Sequence, residues 1–261
     1  MTLSQRDFAT DQHGWSELLP PRQACNAMQG ILRVPWVVVG AGLTGLACAR
    51  RLAELHPNDE IILLDARLVG QGASGRNSGF AVGVSHFPGA FKPEQKENVA
   101  RVNRINQAGL DILDQQIKSL AINCQWDDSG FHHGAADRKS VKEHKYFIDY
   151  LNAMDVEHSS LDQQAMKSRF GTSLYQAGVH VKRGALVQPA ALVRGLGDNQ
   201  PNNVRLIENC PVLKVQLGNP ITLQLADSEI KTDKLVMAIN YEAPKLGFLR
   251  RRLIGSTLSG S

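Results

Sequence analysis

Trp36-Val-Val-Val-Gly40-Ala-Gly42-Leu-Thr44-Gly45-Leu-Ala-Cys-Ala49, followed by Glu60-Ile-Ile-Leu-Leu-Asp65, decides the fold. The apolar run rich in β-branched valine predicts a buried parallel strand ending at Val39. Gly40, Gly42 and Gly45 follow it in G-x-G-x-x-G spacing. The first permits a tight turn, the second lets a pyrophosphate approach the backbone, and the third lets the next helix pack close to the strand. That helix is predicted over 43–55, with its N-terminal N–H groups and positive dipole end towards the phosphates. A second strand, Ile61 to Leu64, ends in Asp65, whose carboxylate can accept hydrogen bonds from ribose hydroxyls. Strand, glycine turn, helix and distant acid together predict a dinucleotide cradle.

Outward from this stretch, composition sets limits. The 261 residues are 43% hydrophobic and 21% charged, which describes an ordinary globular protein with room for one large or two small domains. A net charge of +4 is too mild to argue for nucleic acid. The basic run Arg250-Arg251-Arg252 reads as a solvated face. Cys25, Cys48, Cys124 and Cys210 show no C-x-x-C spacing, so neither a metal site nor a disulfide framework is expected, and Cys48 reads as a small buried hydrophobe. No apolar stretch has the length of a membrane span, and a reducing cytoplasm is the expected compartment.

Beyond Asp65 lies Gly70-Gln-Gly72-Ala-Ser74-Gly75-Arg76-Asn77-Ser78-Gly79-Phe80, a loop able to bring many backbone N–H groups to one ligand. The pair of motifs, Val39 to Gly45 and Gly72 to Gly79, resembles the FAD-dependent D-amino acid oxidase superfamily, and within it the glycine oxidase and γ-glutamylputrescine oxidase-like flavoproteins. The string Gly184-Ala-Leu-Val-Gln-Pro189-Ala-Ala-Leu192-Val-Arg194-Gly195 is similar to the point where such chains return to the FAD domain. The resemblance implies FAD contacts from Gly40, Gly42, Leu43, Thr44 and Gly45, from Asp65, Ala66 and Arg67, and from Gly72, Ser74, Asn77, Ser78 and Gly79. It further implies Val212 at the adenine edge, with Ala238 and Asn240 at a second approach to the cofactor.

The fold class expected is α/β with an α+β second domain: a Rossmann-like FAD-binding domain interleaved with an incomplete substrate domain. Residues 1–33 form an N-terminal arm, in which Trp15 is a packing anchor. Residues 34–90 and 184–250 form the FAD domain, 91–183 the partial substrate domain and 251–261 a tail. Between Val102 and Leu120, Ile105, Gly109, Ile112, Leu113 and Ile117 recur at helical steps and predict one amphipathic helix facing the core. Ile122–Trp126 and Gly130–Gly134 read as two strands joined by Asp127-Asp128-Ser129. Adjacent His132 and His133 then point to opposite faces, against their chelating one metal. A helix is predicted over 138–153, and Ser160-x-x-Gln163 predicts a capping box opening another that runs to Phe170. Gly178–Val187 reads as strand, and Pro189 starts a helix closed by glycines. Strands follow at Val204–Glu208, Val212–Leu217, Ile221–Ala226 and Leu235–Asn240, with Gly218-Asn219 as a two-residue hairpin turn.

The resemblance implies oxidation of a small-molecule amine or amino acid at its C–N bond, by hydride transfer to flavin N5 with oxygen as acceptor. No Ser/His/Asp or Cys/His arrangement asks for another mechanism, and no side chain stands out as catalytic; His86 reads as a surface or core residue. Family members run further than Ser261, so the chain reads as truncated. A catalytically inactive FAD-binding remnant is therefore the alternative. An NAD-dependent dehydrogenase is disfavoured by the Gly72–Gly79 loop and by the absence of a second βαβαβ half.

Overall fold

The computed structural model describes residues 13–26, 28–85 and 90–253. In chain order its elements are α1 (Gly14–Glu17), β1 (Gly30–Val39), α2 (Leu43–Leu55), β2 (Ile61–Leu64), β3 (Phe80–Val82), α3 (Lys96–Ser119), β4 (Phe131–Ala135), α4 (Arg138–Ala153), β5 (His158–Asp162), α5 (Gln163–Phe170), β6 (Ala177–Val181), β7 (Gly184–Leu186), α6 (Pro189–Asp198), β8 (Val204–Ile207), β9 (Lys214–Gln216), β10 (Ile221–Gln224) and β11 (Ser228–Met237). Short 3-10 turns lie at Ala73–Gly75, Pro93–Gln95 and Asn240–Leu246.

The chain divides into two compact units. The first takes in the described residues of 1–78, 122–124 and 189–261. It is built on a six-stranded sheet in the order β8-β2-β1-β11-β10-β9. Strands β8, β2, β1 and β11 are mutually parallel, whereas β10 and β9 run antiparallel at the edge. All four residues of β2 are fully buried, the mark of a parallel strand covered on both faces. Val37, Val39, Ile62, Leu64, Ile207, Leu223 and Ile230 form the core around it. Strand β1 begins six residues before Trp36, because Gly30–Val34 pairs with the first half of β11, starting at Gly30 opposite Ser228. The expected arm therefore ends earlier than residue 33. Where a two-residue hairpin was expected, Leu217–Pro220 links β9 to β10, since Pro220 has no N–H for the ladder.

The second unit takes in the described residues of 79–121 and 125–188. It contains a three-stranded antiparallel sheet, β4-β6-β5, and a two-stranded one, β3-β7. Residues 79–85 and 184–188 thus group with this unit rather than with the nucleotide fold, because Phe80–Val82 pairs with Gly184–Leu186. The single strand expected at Gly178–Val187 is two strands in different sheets. Ile122–Trp126 is not a strand, and Ile122–Cys124 falls with the first unit, where Ile122 packs on Gly195 inside α6. Gly195 and Gly197 do not close that helix; they lie within it, and Gly197 faces Val69 and Leu206.

Two helices depart from expectation in their details. Helix α5 is capped by Asp162, whose Oδ1 accepts from Ala165 N at 2.8 Å, while Ser160 is a strand residue. Helix α3 forms, but Ile105 and Ile112 remain 65% and 56% exposed, so much of the expected core stripe is uncovered. Cys48 is half-buried rather than buried.

Candidate functional site

Strand β1 ends in the glycine turn and delivers the chain to α2. Gly40 has φ +103°, and a Cβ there would strike the Ala238 carbonyl; a Cβ on Gly45 would run into the carbonyl of Gly40. Both positions therefore exclude a side chain. Gly42 serves differently: a Cβ on it would meet Ser74 Oγ at 2.8 Å. That hydroxyl accepts from Leu43 N–H at 3.0 Å, so Ser74 bridges the two glycine motifs at the start of α2. Asn77 Nδ2 donates to the Ser74 carbonyl at 2.7 Å and holds the turn.

Asp65 follows β2. Its Oδ2 accepts from Ala41 N at 2.8 Å and its Oδ1 from Arg67 N at 2.9 Å. Burial pushes its carboxyl above the usual carboxylate range, and the two N–H groups and the Arg67 charge oppose that push. A carboxylate has about four lone-pair sites, so two N–H donors leave acceptor capacity for hydroxyl donors.

These elements enclose a cavity of about 550 Å³. Of the residues singled out from sequence, the structure brings Gly40, Gly42, Thr44, Asp65, Ala66, Arg67, Gly72, Ser74, Val212, Ala238 and Asn240 together around it. Leu43, Gly45, Asn77 and Ser78 do not line it, and Gly79 opens the second unit, its carbonyl accepting from Val187 N at 2.9 Å. His86 lies outside the described residues.

Sequence reasoning missed several lining residues. Val193 of α6, Cys210 and Met237 add apolar surface beside Val212. The Cys210 thiol is pushed up to about 11 by burial, so it stays protonated at neutral pH. Glu242 and Leu246, from the turn after β11, complete the wall, with Arg67 3.8 Å and Lys245 2.9 Å from Glu242. The signal was weak: nothing in the sequence around Glu242 separates it from a surface turn. Among the described residues no group of His, Cys, Asp and Glu is arranged to hold a metal ion.

The comparisons with known proteins bear on this cavity. Residues 35–259 match the sequence profile of the DAO family, described as FAD dependent oxidoreductase. The chain belongs to that family. It is 26% identical over 208 residues to the γ-glutamylputrescine oxidoreductase of Escherichia coli, covering 78% of this chain and 48% of that protein. It is 25% identical over 218 residues to the "Probable oxidoreductase OrdL" of Haemophilus influenzae, with the same coverage of 78% and 48%. The chain thus spans about half the length of the curated relatives it matches. Among solved structures, glycine oxidase from Geobacillus kaustophilus superimposes with a TM-score of 0.72 at 15% identity, over 83% of this chain and 58% of that one, a likeness of fold.

FAD is the cofactor of the family, and the residues present fit it. Glycines bare the backbone where a pyrophosphate would lie, a desolvated carboxylate with spare acceptor capacity stands where a ribose would lie, and Val193, Val212 and Met237 offer an apolar slot for a purine.

Proposed function

We propose that this chain is an FAD-dependent oxidoreductase that oxidises the C–N bond of a small-molecule amine or amino acid. The observation that carries the reading is the cavity itself, in which both glycine motifs and Asp65 converge. FAD, when bound, supplies a two-electron acceptor for hydride from the carbon bearing nitrogen, with oxygen as the proposed final acceptor.

The remaining roles belong to the chain. Backbone N–H groups at the start of α2 and in the Gly72–Ser74 turn hold the pyrophosphate, aided by the dipole end of α2. Asp65 accepts from the adenosine ribose, and Ala66 and Arg67 flank it. Val212 presents main chain to the adenine edge beside the Val193 and Met237 side chains, which exclude water. Ala238 and Asn240 lie along the second approach to the cofactor. Leu43, Gly45, Asn77, Ser78 and Gly79 shape the turns that carry these contacts. In this reading the first unit is the FAD domain and the second is part of the substrate domain. No described helix is long and apolar enough to cross a membrane. The cytoplasm is the proposed location, on the cysteine spacing read from the sequence.

The substrate class rests on family membership and on relatives such as the γ-glutamylputrescine oxidoreductase. The test is anaerobic titration of the FAD-loaded protein with a panel of primary amines, secondary amines and amino acids. Bleaching of the flavin absorption by one member supports the reading. A bound flavin that no member of the panel bleaches would favour the alternative, a cofactor-binding chain without turnover of its own.

A further inference from the structure

The segment from His13 to Asn26 precedes the residues that match the family, yet it is bonded to the nucleotide loop at both of that loop's ends. Trp15 Nε1–H donates to the Asn77 carbonyl at 2.9 Å. His13 Nε2 lies 3.1 Å from the Gly70 carbonyl, which accepts from it when that nitrogen carries the proton. Asn77 holds Ser74 through Nδ2, and Ser74 Oγ in turn accepts from Leu43 N–H at the first residue of α2. A continuous run of hydrogen bonds therefore leads from Trp15 to the start of the phosphate-binding helix.

The root of the segment is fixed just as firmly. Arg22 Nε donates to Glu208 Oε1 at 2.7 Å, and Cys25 N donates to Oε2 of the same carboxylate at 2.9 Å. Glu208 Oε1 also accepts from Val69 N at 2.6 Å, one residue before the loop begins. The Pro20 carbonyl accepts from Arg194 Nη1 at 2.9 Å, and Asn26 Nδ2 donates to the Leu206 carbonyl at 2.7 Å. One wholly buried carboxylate thus ties the segment and the entry to the loop to the same point.

We propose that residues 13–26 are a clamp that holds the Gly70–Asn77 loop in its ligand-binding shape, with Trp15 and His13 as positioning residues for FAD; this rests on the FAD reading above. A loop with three glycines, Gly70, Gly72 and Gly75, loses much conformational freedom when it closes on a ligand. Ordering it in advance removes that cost from binding. The clamp acts from outside the cavity, since neither Trp15 nor His13 lines it.

Trp15→Phe keeps the ring and deletes the indole donor, and His13→Ala deletes the second contact. The expected result for each is faster amide hydrogen exchange in the Gly70–Asn77 peptide of the cofactor-free protein. FAD binding should weaken about fivefold per lost hydrogen bond, through faster release. A part in overall stability alone would lower the melting temperature of the cofactor-free protein while leaving both readouts at wild-type values. Unchanged loop exchange and unchanged FAD affinity in both variants would overturn the clamp. Wild-type protein that takes up no FAD would instead overturn the functional reading, while loop exchange would still report on the clamp.

Discussion

Glu208→Gln is the substitution whose cost the structure fixes most directly. The Glu208 side chain is fully buried, that of Arg22 is 8% exposed, and Glu208 receives three donors: Arg22 Nε, Val69 N and Cys25 N. Glutamine keeps the shape but turns one acceptor oxygen into an NH2 group that faces an N–H donor. It also leaves the Arg22 cation without its most buried partner, since the other, Asp198, is half exposed. Breaking one side of a buried pair costs about 3–5 kcal/mol. At this chain length about 2 °C accompanies each kcal/mol, so the melting temperature should fall by about 6–10 °C. Thermal and urea unfolding followed by tryptophan fluorescence measure it. Arg22→Met combined with Glu208→Gln should recover part of the loss, because the unpaired cation goes as well. The pH profile carries a sign. Burial raises the Glu208 carboxyl, but Arg22 and the two backbone N–H groups outweigh it and hold the group below its ordinary value. Its stabilisation is therefore present above about pH 4.5 and is lost as pH falls through the lower folded value, a loss that Glu208→Gln should not show. A destabilisation below about 1 kcal/mol would mean that the pair is solvated, and would refute the reasoning.

Three further outcomes are expected. Gly45→Ala sets a Cβ against the Gly40 carbonyl, backbone against backbone, and should cost about 2 kcal/mol or more together with the loss of FAD binding; unfolding curves and flavin fluorescence check both. Asp65→Asn places an NH2 group against the Ala41 or Arg67 N–H and should weaken FAD binding by about tenfold or more in an equilibrium titration. In the second unit, burial lowers His132, with help from His180 and Arg169, and burial lowers His144, with help from His133. A folded value below 6.5 means that stability is steady above about pH 6.5 and declines as pH drops beneath it, so the melting temperature should fall between pH 7 and 5, and His144→Gln should flatten that decline.

What the sequence disclosed follows from the range of the interactions involved. Helix α2 and strand β2 fall at the expected bounds, because glycine spacing and an unbroken apolar run are local signals. Strand β1 is longer than its sequence signal: Leu32 and Arg33 look like the end of an arm until β11, some two hundred residues away, is seen to pair with them. The face of α3 misled for a related reason. Periodicity reports an apolar stripe and not what covers it, and Ile105 and Ile112 are largely open in the described structure. His132 and His133 do point to opposite faces, but their partners, His180 stacked at 4.3 Å and His144 at 2.6 Å, come from β6 and α4 and carry no mark of it in sequence. Glu208 is the strongest case: the sequence shows it only as the last residue of a strand, yet three distant donors make it the buried carboxylate to which the clamp is tied. Around the cavity, the glycines and Asp65 were legible as motif, whereas Val193, Cys210 and Glu242 arrive through packing alone.

The most direct test of the account is equilibrium binding of FAD to the cofactor-free chain, followed by quenching of flavin fluorescence, with ADP and FMN as competitors. In the proposed reading the cavity takes the adenosine diphosphate half of FAD, so FAD should bind and be displaced by ADP, while FMN, lacking that half, should not compete. Absence of FAD binding, or FMN competing as well as ADP, would contradict the assignment of this cavity.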